Sequence, residues 1–367
     1  MGDFNYSRLD LARRRRGITK GALAKAAEIS PRNLNAYERN QQEPTPLTAM
    51  RLASAVGFPR EFLYGPDLDE PSPEGASFRA LSRLTARQRD QALGSGALAL
   101  ALSDWIDARF DLPDADVPQY QGVDPDTAAD AVREAWGLGE RRLPNMVHLL
   151  EAHGIRVFSL AEESAAVDAF SFWRGLVPYV FLNTKKTAEH GRMDAAHELG
   201  HLVLHGHGGP SGRQAEHEAQ AFASAFLMPA GSILAEAPRG GRISQLIKAK
   251  PRWNVSVAAL AYRMHGLNML TDWQYRSTFI ELNRRGRDKE PTAPGKAPLR
   301  QESSQVLGKV FRALRDENVS KASIAQKLQI PVKDLNDLVF GLVLTPLEGL
   351  NRPDAAPDCE RPKLRVV

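Results

Sequence analysis

The spacing of apolar residues predicts a small helical domain at the start of the chain. Apolar residues recur every three or four positions, the period of a helix with one buried face, in four segments. These segments are residues 5–16, 19–27, 31–39 and 47–56. Ser30 precedes Pro31, an order typical of a helix start because serine caps the first amides and proline suits the first turn. Phe58, Phe62 and Leu63 follow the last segment and would close the core, so we expect five short helices here.

The middle of the chain changes from a helical pattern to a strand pattern and back. Helical periodicity continues through residues 84–110 and 126–136, and it restarts at residues 143–145. Three strand-like segments come next, at residues 155–160, 169–173 and 179–182. Residues 195–205 are again helical, and so are residues 214–227 and 302–345. The pattern therefore predicts an α+β chain that is mostly helical, with a small sheet lying over the helix at residues 195–205.

That helix carries two histidines four positions apart. His197 and His201 lie one turn apart on the same face, so their imidazoles can converge on one metal ion. Glu198 lies beside the first histidine, where its carboxylate can reach a water near the metal without binding the metal itself. Zinc lowers the pKa of such a water towards neutrality, and a carboxylate can accept the proton. The motif predicts a Zn²⁺ site with His197 and His201 as ligands and Glu198 as the general base of a hydrolysis.

A catalytic zinc ion needs a third protein ligand. Five downstream residues could supply it: His205, His207, Glu216, His217 and Glu218. His205 is one further turn along the same helix, too far along the axis to share the ion. Glu218 borders the apolar stripe of the helix at residues 214–227, whereas Glu216 is rotated by about 160° from Glu218 and is expected to face water. We therefore predict Glu218 as the third ligand.

Composition restricts the class of protein. With 367 residues, 43% hydrophobic and 25% charged, the chain is long enough for two or three ordinary globular domains. The single cysteine, Cys359, excludes an intramolecular disulfide and a multi-cysteine zinc site, and it fits a reducing compartment. No run reaches 18 apolar residues, and the first residues contain no apolar signal core. We expect a cytoplasmic protein with no membrane contact.

Charge points to nucleic acid as a partner of the first segment. Residues 1–65 contain 11 Lys and Arg against 6 Asp and Glu, a net charge of +5 that exceeds the +4 of the whole chain. Two short helices across a tight turn form a helix-turn-helix, whose second helix meets base edges in the major groove. The predicted DNA contacts lie on or next to that helix, at Ser30, Arg32, Asn33, Asn35, Ala36 and Arg39. Ser30 is placed for phosphate, and Arg32 and Asn33 are placed for bases.

Two resemblances to known families follow from these motifs. The first segment resembles an XRE (Cro/C1-type) repressor domain in residues 23–30, 37–40, Pro44 and residues 52–53. The region from about residue 120 to 285 resembles the ImmA/IrrE metallopeptidases in residues 167–170, 181–184, 194–205 and 218–229. The second resemblance implies His197, His201 and Glu218 as ligands, Glu198 as base, and cleavage of a repressor-like regulator. Fusions of this kind also occur beside toxin genes, where they resemble antitoxins.

The domain boundaries follow from breaks in the pattern. We expect a DNA-binding domain at residues 1–65, an acidic linker at 66–82, an ImmA/IrrE-like metallopeptidase domain at 83–285 with its zinc core at 155–235, and a basic linker at 286–300. Residues 301–348 form a helical unit in which residues 320–331 echo residues 19–30. Asp334 and Asp337 do not suit DNA contact, so we interpret this unit as a partner or dimerisation module. Residues 349–367 are expected to be a disordered tail.

Two functional hypotheses result. The first is a cytoplasmic, nucleoid-associated regulator of bacterial or phage-related origin that binds a double-stranded DNA operator as a homodimer and cleaves a protein, using Glu198. The second is a non-proteolytic repressor or antitoxin, whose protein partner is a cognate toxin and whose zinc site is structural or sensory. An intact Glu198 favours the enzyme because a structural zinc site needs no base. No organic cofactor is expected.

Overall fold

Side-chain caps define where the N-terminal helices begin. The structure is a computed structural model that describes residues 3–72, 85–160, 167–206, 212–285, 290–293, 295 and 297–343. The first helices are α1 (Tyr6–Arg15), α2 (Lys20–Ala26), α3 (Pro31–Glu38) and α4 (Pro46–Val56). The side chains of Asn5, Thr19, Ser30 and Thr45 each accept a hydrogen bond from an amide in the first turn. A 3-10 turn at Arg60–Tyr64 occupies the place of the expected fifth helix.

Three helices connect these elements to the sheet: α5 (Ala86–Asp107), α6 (Pro125–Ala135) and α7 (Met146–Ala152). The long helix α5 packs directly against α1. Gly94 allows this contact, because a Cβ there would lie 3.1 Å from the Cβ of Arg15. The N-terminal helices are therefore packed on the middle of the chain through α1 and α5.

The sheet has three strands, β1 (Arg156–Ser159), β2 (Ala169–Arg174) and β3 (Val177–Leu182), in the order β1-β3-β2. β2 and β3 are antiparallel, and Gly175, with a φ of +59°, turns the chain between them. β1 is parallel to β3. Phe170 pairs with Phe181 across β2 and β3, with ring centroids 4.5 Å apart. Packing of these large aromatic rings gives the sheet a continuous apolar layer.

The sheet covers α8 (Ala188–Leu204), which carries the two histidines of the motif. On another side α8 packs against α9 (Arg213–Leu227). A Cβ at Gly200 would lie 3.1 Å from both the Cα and the carbonyl oxygen of Ala219, so the two backbones approach closely at this point. This contact fixes the first half of α9 beside the histidines of α8.

Seven further α-helices and a 3-10 turn at Lys250–Arg252 complete the described residues. They are α10 (Ala230–Glu236), α11 (Ile243–Ala249), α12 (Val257–Gly266), α13 (Asp272–Arg285), α14 (Gln305–Asp316), α15 (Lys321–Leu328) and α16 (Val332–Val339). Most of the described chain is helical and the sheet is small, as the apolar pattern predicts. The expected tail at residues 349–367 lies outside the described residues, as does most of the acidic linker.

Two carboxylates, the buried Glu151 and the partly buried Glu302, join the C-terminal helices to the middle of the chain. Glu302 accepts hydrogen bonds from the amides of Met146 at 2.8 Å and Val147 at 3.1 Å, and it pairs with the buried guanidinium of Arg192. Glu151 accepts hydrogen bonds from the amides at the start of α14. The helices after residue 301 are therefore anchored on α7 and α8.

A search of the described residues for membrane-spanning segments finds no helix that combines the necessary length and hydrophobicity.

Candidate metal centre and nucleic-acid interface

α8 brings the two histidines of the motif together. The Nε2 atoms of His197 and His201 lie 3.1 Å apart, and both side chains are buried. The helix starts at a capped residue, Thr187, and continues without a break to Leu204, so the four-residue spacing places both rings on one face. The pair is therefore arranged as the motif predicts, with the two ring nitrogens directed at one point.

A carboxylate from α9 completes a three-residue cluster. The Oε2 atom of Glu216 lies 3.4 Å from Nε2 of His197, and its Oε1 lies 3.4 Å from Nε2 of His201. The ligand atoms of all three residues lie within 4.8 Å of one another. Two imidazole nitrogens and one carboxylate oxygen form the donor set of zinc hydrolases, in which a fourth position stays open.

The structure places Glu218, the predicted third ligand, away from this point. Its Oε2 lies 3.0 Å from Nε2 of His205, one turn further along α8. Glu216 occupies the predicted position of Glu218, because α9 starts at Arg213 and its first turn is directed towards the histidine pair. The expectation that Glu216 faces water is wrong, since its side chain is only 27% exposed and contacts both histidines.

The protonation of Glu216 suits a metal ligand. Burial raises the pKa of this carboxyl group, but the hydrogen bonds and charges of His197 and His201 outweigh burial and hold the pKa at about 2. The carboxylate is therefore ionised at neutral pH, as a metal ligand must be. The residues present thus fit a divalent ion in both geometry and charge.

Glu198 is held on the sheet side of α8. Its side chain is completely buried, and its Oε2 accepts a hydrogen bond of 2.7 Å from the hydroxyl of Ser171 on β2. Glu198 lies outside the three-residue cluster. The motif gives no sign of Ser171, because the contact joins two elements 27 residues apart in sequence.

A row of polar contacts runs from His201 through His205 and Glu218 to Gln214. Nδ1 of His201 is 3.0 Å from Nδ1 of His205, and Nε2 of His205 is 3.0 Å from Oε2 of Glu218. Gln214 donates a hydrogen bond of 2.7 Å to the other oxygen of Glu218. The hydrogen bonds from Gln214 and His205 lower the pKa of Glu218, and burial lowers the pKa of His205.

The predicted DNA contacts lie on α3 and at its start. Ser30, Arg32, Asn35 and Arg39 are exposed, whereas Asn33 and Ala36 are partly buried. The hydroxyl of Ser30 caps α3 by accepting a hydrogen bond of 3.1 Å from the amide of Asn33. α3 thus presents polar and basic side chains on the outer face of the N-terminal helices.

The arginine run after Leu11 is used within the chain. Arg14 pairs with Glu70 at 2.7 Å, while Arg15 and Arg16 pair with Asp334 at 3.0 and 2.7 Å. Part of the positive charge of residues 1–65 is therefore neutralised by acids from later segments. The net charge of +5 counted for residues 1–65 therefore overstates the positive charge that can contact a polyanion.

Comparisons with known proteins match two regions of the chain. A family model described as helix-turn-helix matches residues 9–63, and one described as IrrE N-terminal-like domain matches residues 150–265. No curated protein matches the chain. The two matched regions correspond to the XRE-type helix-turn-helix domain and the IrrE-like domain, which confirms the predicted resemblance. The two domains support a DNA-binding regulator with a peptidase-like domain of metallopeptidase-type fold.

Proposed function

We propose that the protein is a transcriptional regulator that binds an operator through α3 and cleaves a regulatory protein at a zinc site formed by His197, His201 and Glu216. The observation that supports this most is the convergence of these three side chains beside the buried Glu198. The donor set suits zinc, and the peptidase family is typically zinc-dependent. A zinc ion bound there would supply Lewis-acid polarisation and lower the pKa of a nearby water.

Glu198 is the residue that would carry the proton. It is an acid next to a ligand in sequence and lies outside the ligand cluster, which is the place of a general base and not of a ligand. Ser171 donates to Oε2 and limits the orientations of the carboxylate. Glu198 would accept a proton from the attacking water as the carbon–oxygen bond forms. It would return that proton to the amine as the peptide bond breaks.

The test is a pair of substitutions in the full chain, assayed on a library of quenched fluorescent peptides and on the chain itself. Glu198→Gln should retain zinc and lose cleavage by at least about a hundredfold, the scale of general-base catalysis. His197→Ala should lose both. Cleavage at the wild-type rate by Glu198→Gln would contradict the peptidase mechanism.

A second candidate function is a repressor or antitoxin with a structural or sensory zinc site. Burial of the two histidines favours it: His197 is 1% and His201 7% exposed, so within the described residues the cluster meets solvent mainly through Glu216. On this alternative the protein partner is bound and not cut. Operator binding would then depend on zinc and survive Glu198→Gln, whereas the first proposal requires cleavage that Glu198→Gln removes.

The DNA-binding part of the proposal rests on α3. We propose Ser30, Arg32, Asn33, Asn35, Ala36 and Arg39 as the contact residues and a homodimer as the binding form, since helix-turn-helix proteins read paired half-sites. Selection from a random DNA pool would supply the operator. Arg32→Ala should then weaken binding by roughly ten- to hundred-fold. Arg252→Ala, which also removes one exposed positive charge, is the matched control.

A further inference from the structure

In the row of contacts behind His201, hydrogen bonds are donated in one direction, from His201 to His205 and from His205 to Glu218. His201 directs Nε2 at His197 and Glu216, which leaves Nδ1 facing His205. A histidine that gives the lone pair of Nε2 to a metal carries its proton on Nδ1. That proton is donated to Nδ1 of His205, whose own proton must then lie on Nε2. Nε2 of His205 faces Oε2 of Glu218, so every donor in the row meets an acceptor.

The surroundings preserve this arrangement. His205 is 6% exposed, so solvent does not compete for its ring nitrogens. Its two ring nitrogens face different partners, so one can accept from His201 while the other donates to Glu218. Gln214 donates to the second oxygen of Glu218 at 2.7 Å and fixes that carboxylate on α9. The row therefore ends on an oriented carboxyl group.

We propose that Glu218 and His205 are positioning residues of the metal centre, acting through His201 without touching the ion. The proposal rests on the zinc site proposed above. A carboxylate that accepts through an imidazole fixes the tautomer and ring orientation of a ligand histidine and increases its basicity. α9 then supplies two carboxylates with different roles: Glu216 binds the metal, and Glu218 orients the second histidine.

The test measures zinc affinity of the full chain by competition with a chelator. Glu218→Ala should weaken zinc binding by roughly ten- to hundred-fold, and Glu218→Gln should weaken it less because its amide oxygen can still accept from His205. The melting temperature of the metal-free protein should stay within a few degrees of wild type. His217→Ala, an exposed neighbour on α9, is the control and should bind zinc normally.

The outcomes separate this proposal from the site itself. Wild-type zinc affinity in Glu218→Ala, with zinc lost in His197→Ala, would overturn the positioning role and leave the site intact. Loss of zinc in Glu218→Ala but not in Glu216→Ala would make Glu218 the ligand and also overturn it. A wild-type protein that takes up no zinc would instead refute the proposed function.

A second, independent inference concerns the C-terminal helices, which repeat the backbone of the helix-turn-helix at a spacing of 301 residues. Gly17 has a φ of +63° and Asn318 a φ of +61°, while Glu28 has +55° and Gln329 +57°. Thr19 and Ser320 cap α2 and α15 in the same way. The amides of Ile18 and Val319 bond to carbonyls five residues earlier in each repeat. α16 thus occupies the position of α3.

The DNA-reading face of this second unit is directed at α1. Asp334 and Asp337 hold the places of Asn33 and Ala36. Asp334 has no exposed side-chain surface, and its two oxygens bind Arg15 at 3.0 Å and Arg16 at 2.7 Å. Acidic side chains at these positions repel phosphate and attract arginine. α16 also packs on α5 and β1.

We infer that residues 301–343 form a second helix-turn-helix unit whose partner is the N-terminal domain of the same chain instead of DNA. Its other side is held by Glu151 and by the pair of Glu302 with Arg192. The unit therefore contacts α1 on one side and the peptidase-like domain on the other, and it links the two.

Matched substitutions in the two repeats test this inference. Lys333 is the counterpart of Arg32, so Lys333→Ala should leave operator affinity within about twofold while Arg32→Ala reduces it. Asp334→Asn should raise the amide hydrogen-exchange rates of α1 and α16 in the full chain by at least about tenfold. The control Asp316→Asn, at an exposed position, should leave these rates unchanged. Equal losses of DNA affinity at Arg32 and Lys333, or unchanged exchange in Asp334→Asn, would overturn it.

Discussion

Replacement of Glu151 by glutamine should remove a pH dependence from the stability of the chain. The carboxylate accepts hydrogen bonds from the amides of Gln305 at 2.8 Å and Val306 at 3.2 Å, and from the hydroxyl of Ser304. Burial raises its pKa from 4.5 to about 7, and these hydrogen bonds offset burial only in part. Between these two pH values the native chain keeps a proton that the unfolded chain releases. Stability therefore falls as the pH rises through this window.

The expected size follows from the two pKa values. The difference between 4.5 in the unfolded chain and about 7 in the native chain corresponds to about 3 kcal/mol. Below pH 4.5 the group costs nothing, and above pH 7 the full penalty remains. Glu151→Gln has no charge to bury, and its amide oxygen can still accept from the start of α14. At pH 8 the variant should be more stable than wild type by up to about 3 kcal/mol, and at pH 4 the difference should vanish.

Urea unfolding of the full chain at a series of pH values measures this difference. Glu134→Gln is the control, because it makes the same chemical change at an exposed position on α6. A variant that is less stable than wild type at pH 8 would contradict this prediction. It would show that the charge of Glu151 stabilises the start of α14 by more than burial costs it.

Three further predictions concern two contacts near the metal centre and one helix interior away from it. Gly200→Val should weaken zinc binding and lower the melting temperature by several degrees. The reason is that a Cβ at this position would lie 3.1 Å from the backbone of Ala219 and would push α8 away from α9. An unchanged zinc affinity would show that this contact does not place Glu216. Ser171→Ala should keep zinc and lower the rate of peptide cleavage by roughly tenfold, because Glu198 loses the hydrogen bond from the Ser171 hydroxyl. An unchanged rate would show that Ser171 does not orient Glu198. Gly308→Ala should raise stability by about 0.5–1 kcal/mol, because Gly308 lies within α14 and a Cβ added there would meet no atom within 4 Å beyond the helix's own backbone and the two neighbouring residues. Urea unfolding measures this.

The sequence identifies the histidine pair because local geometry alone positions it. A four-residue spacing on a helix places His197 and His201 on one face whatever the rest of the chain does. The helix-turn-helix is predictable for the same reason, since Ser30 and Pro31 fix the start of α3 locally. Periodicity also predicts the three strands and the mostly helical character of the chain.

The third ligand is not predictable from periodicity. Glu216 and Glu218 flank the buried stripe of α9 on opposite sides, each by about 80°. Their side chains are accordingly almost equally exposed, at 27% and 29%. The choice between them depends on which side of α9 faces α8, and the close contact of Gly200 with Ala219 decides it.

Contacts between segments that are distant in sequence are also not predictable from local patterns. The run from Arg13 to Arg16 looks like a surface for a polyanion, yet Asp334, more than 300 residues away, binds two of its members. The charge of a segment predicts its partner only when no other segment of the chain neutralises it.

The zinc content of the purified protein and of its Glu216→Ala and Glu218→Ala variants decides whether the metal centre is built as proposed. We expect close to one zinc ion per chain in the wild type, almost none in Glu216→Ala, and a weakly held ion in Glu218→Ala. Zinc retained in Glu216→Ala, or absent from the wild type after loading with zinc, would show that these residues do not form the proposed site.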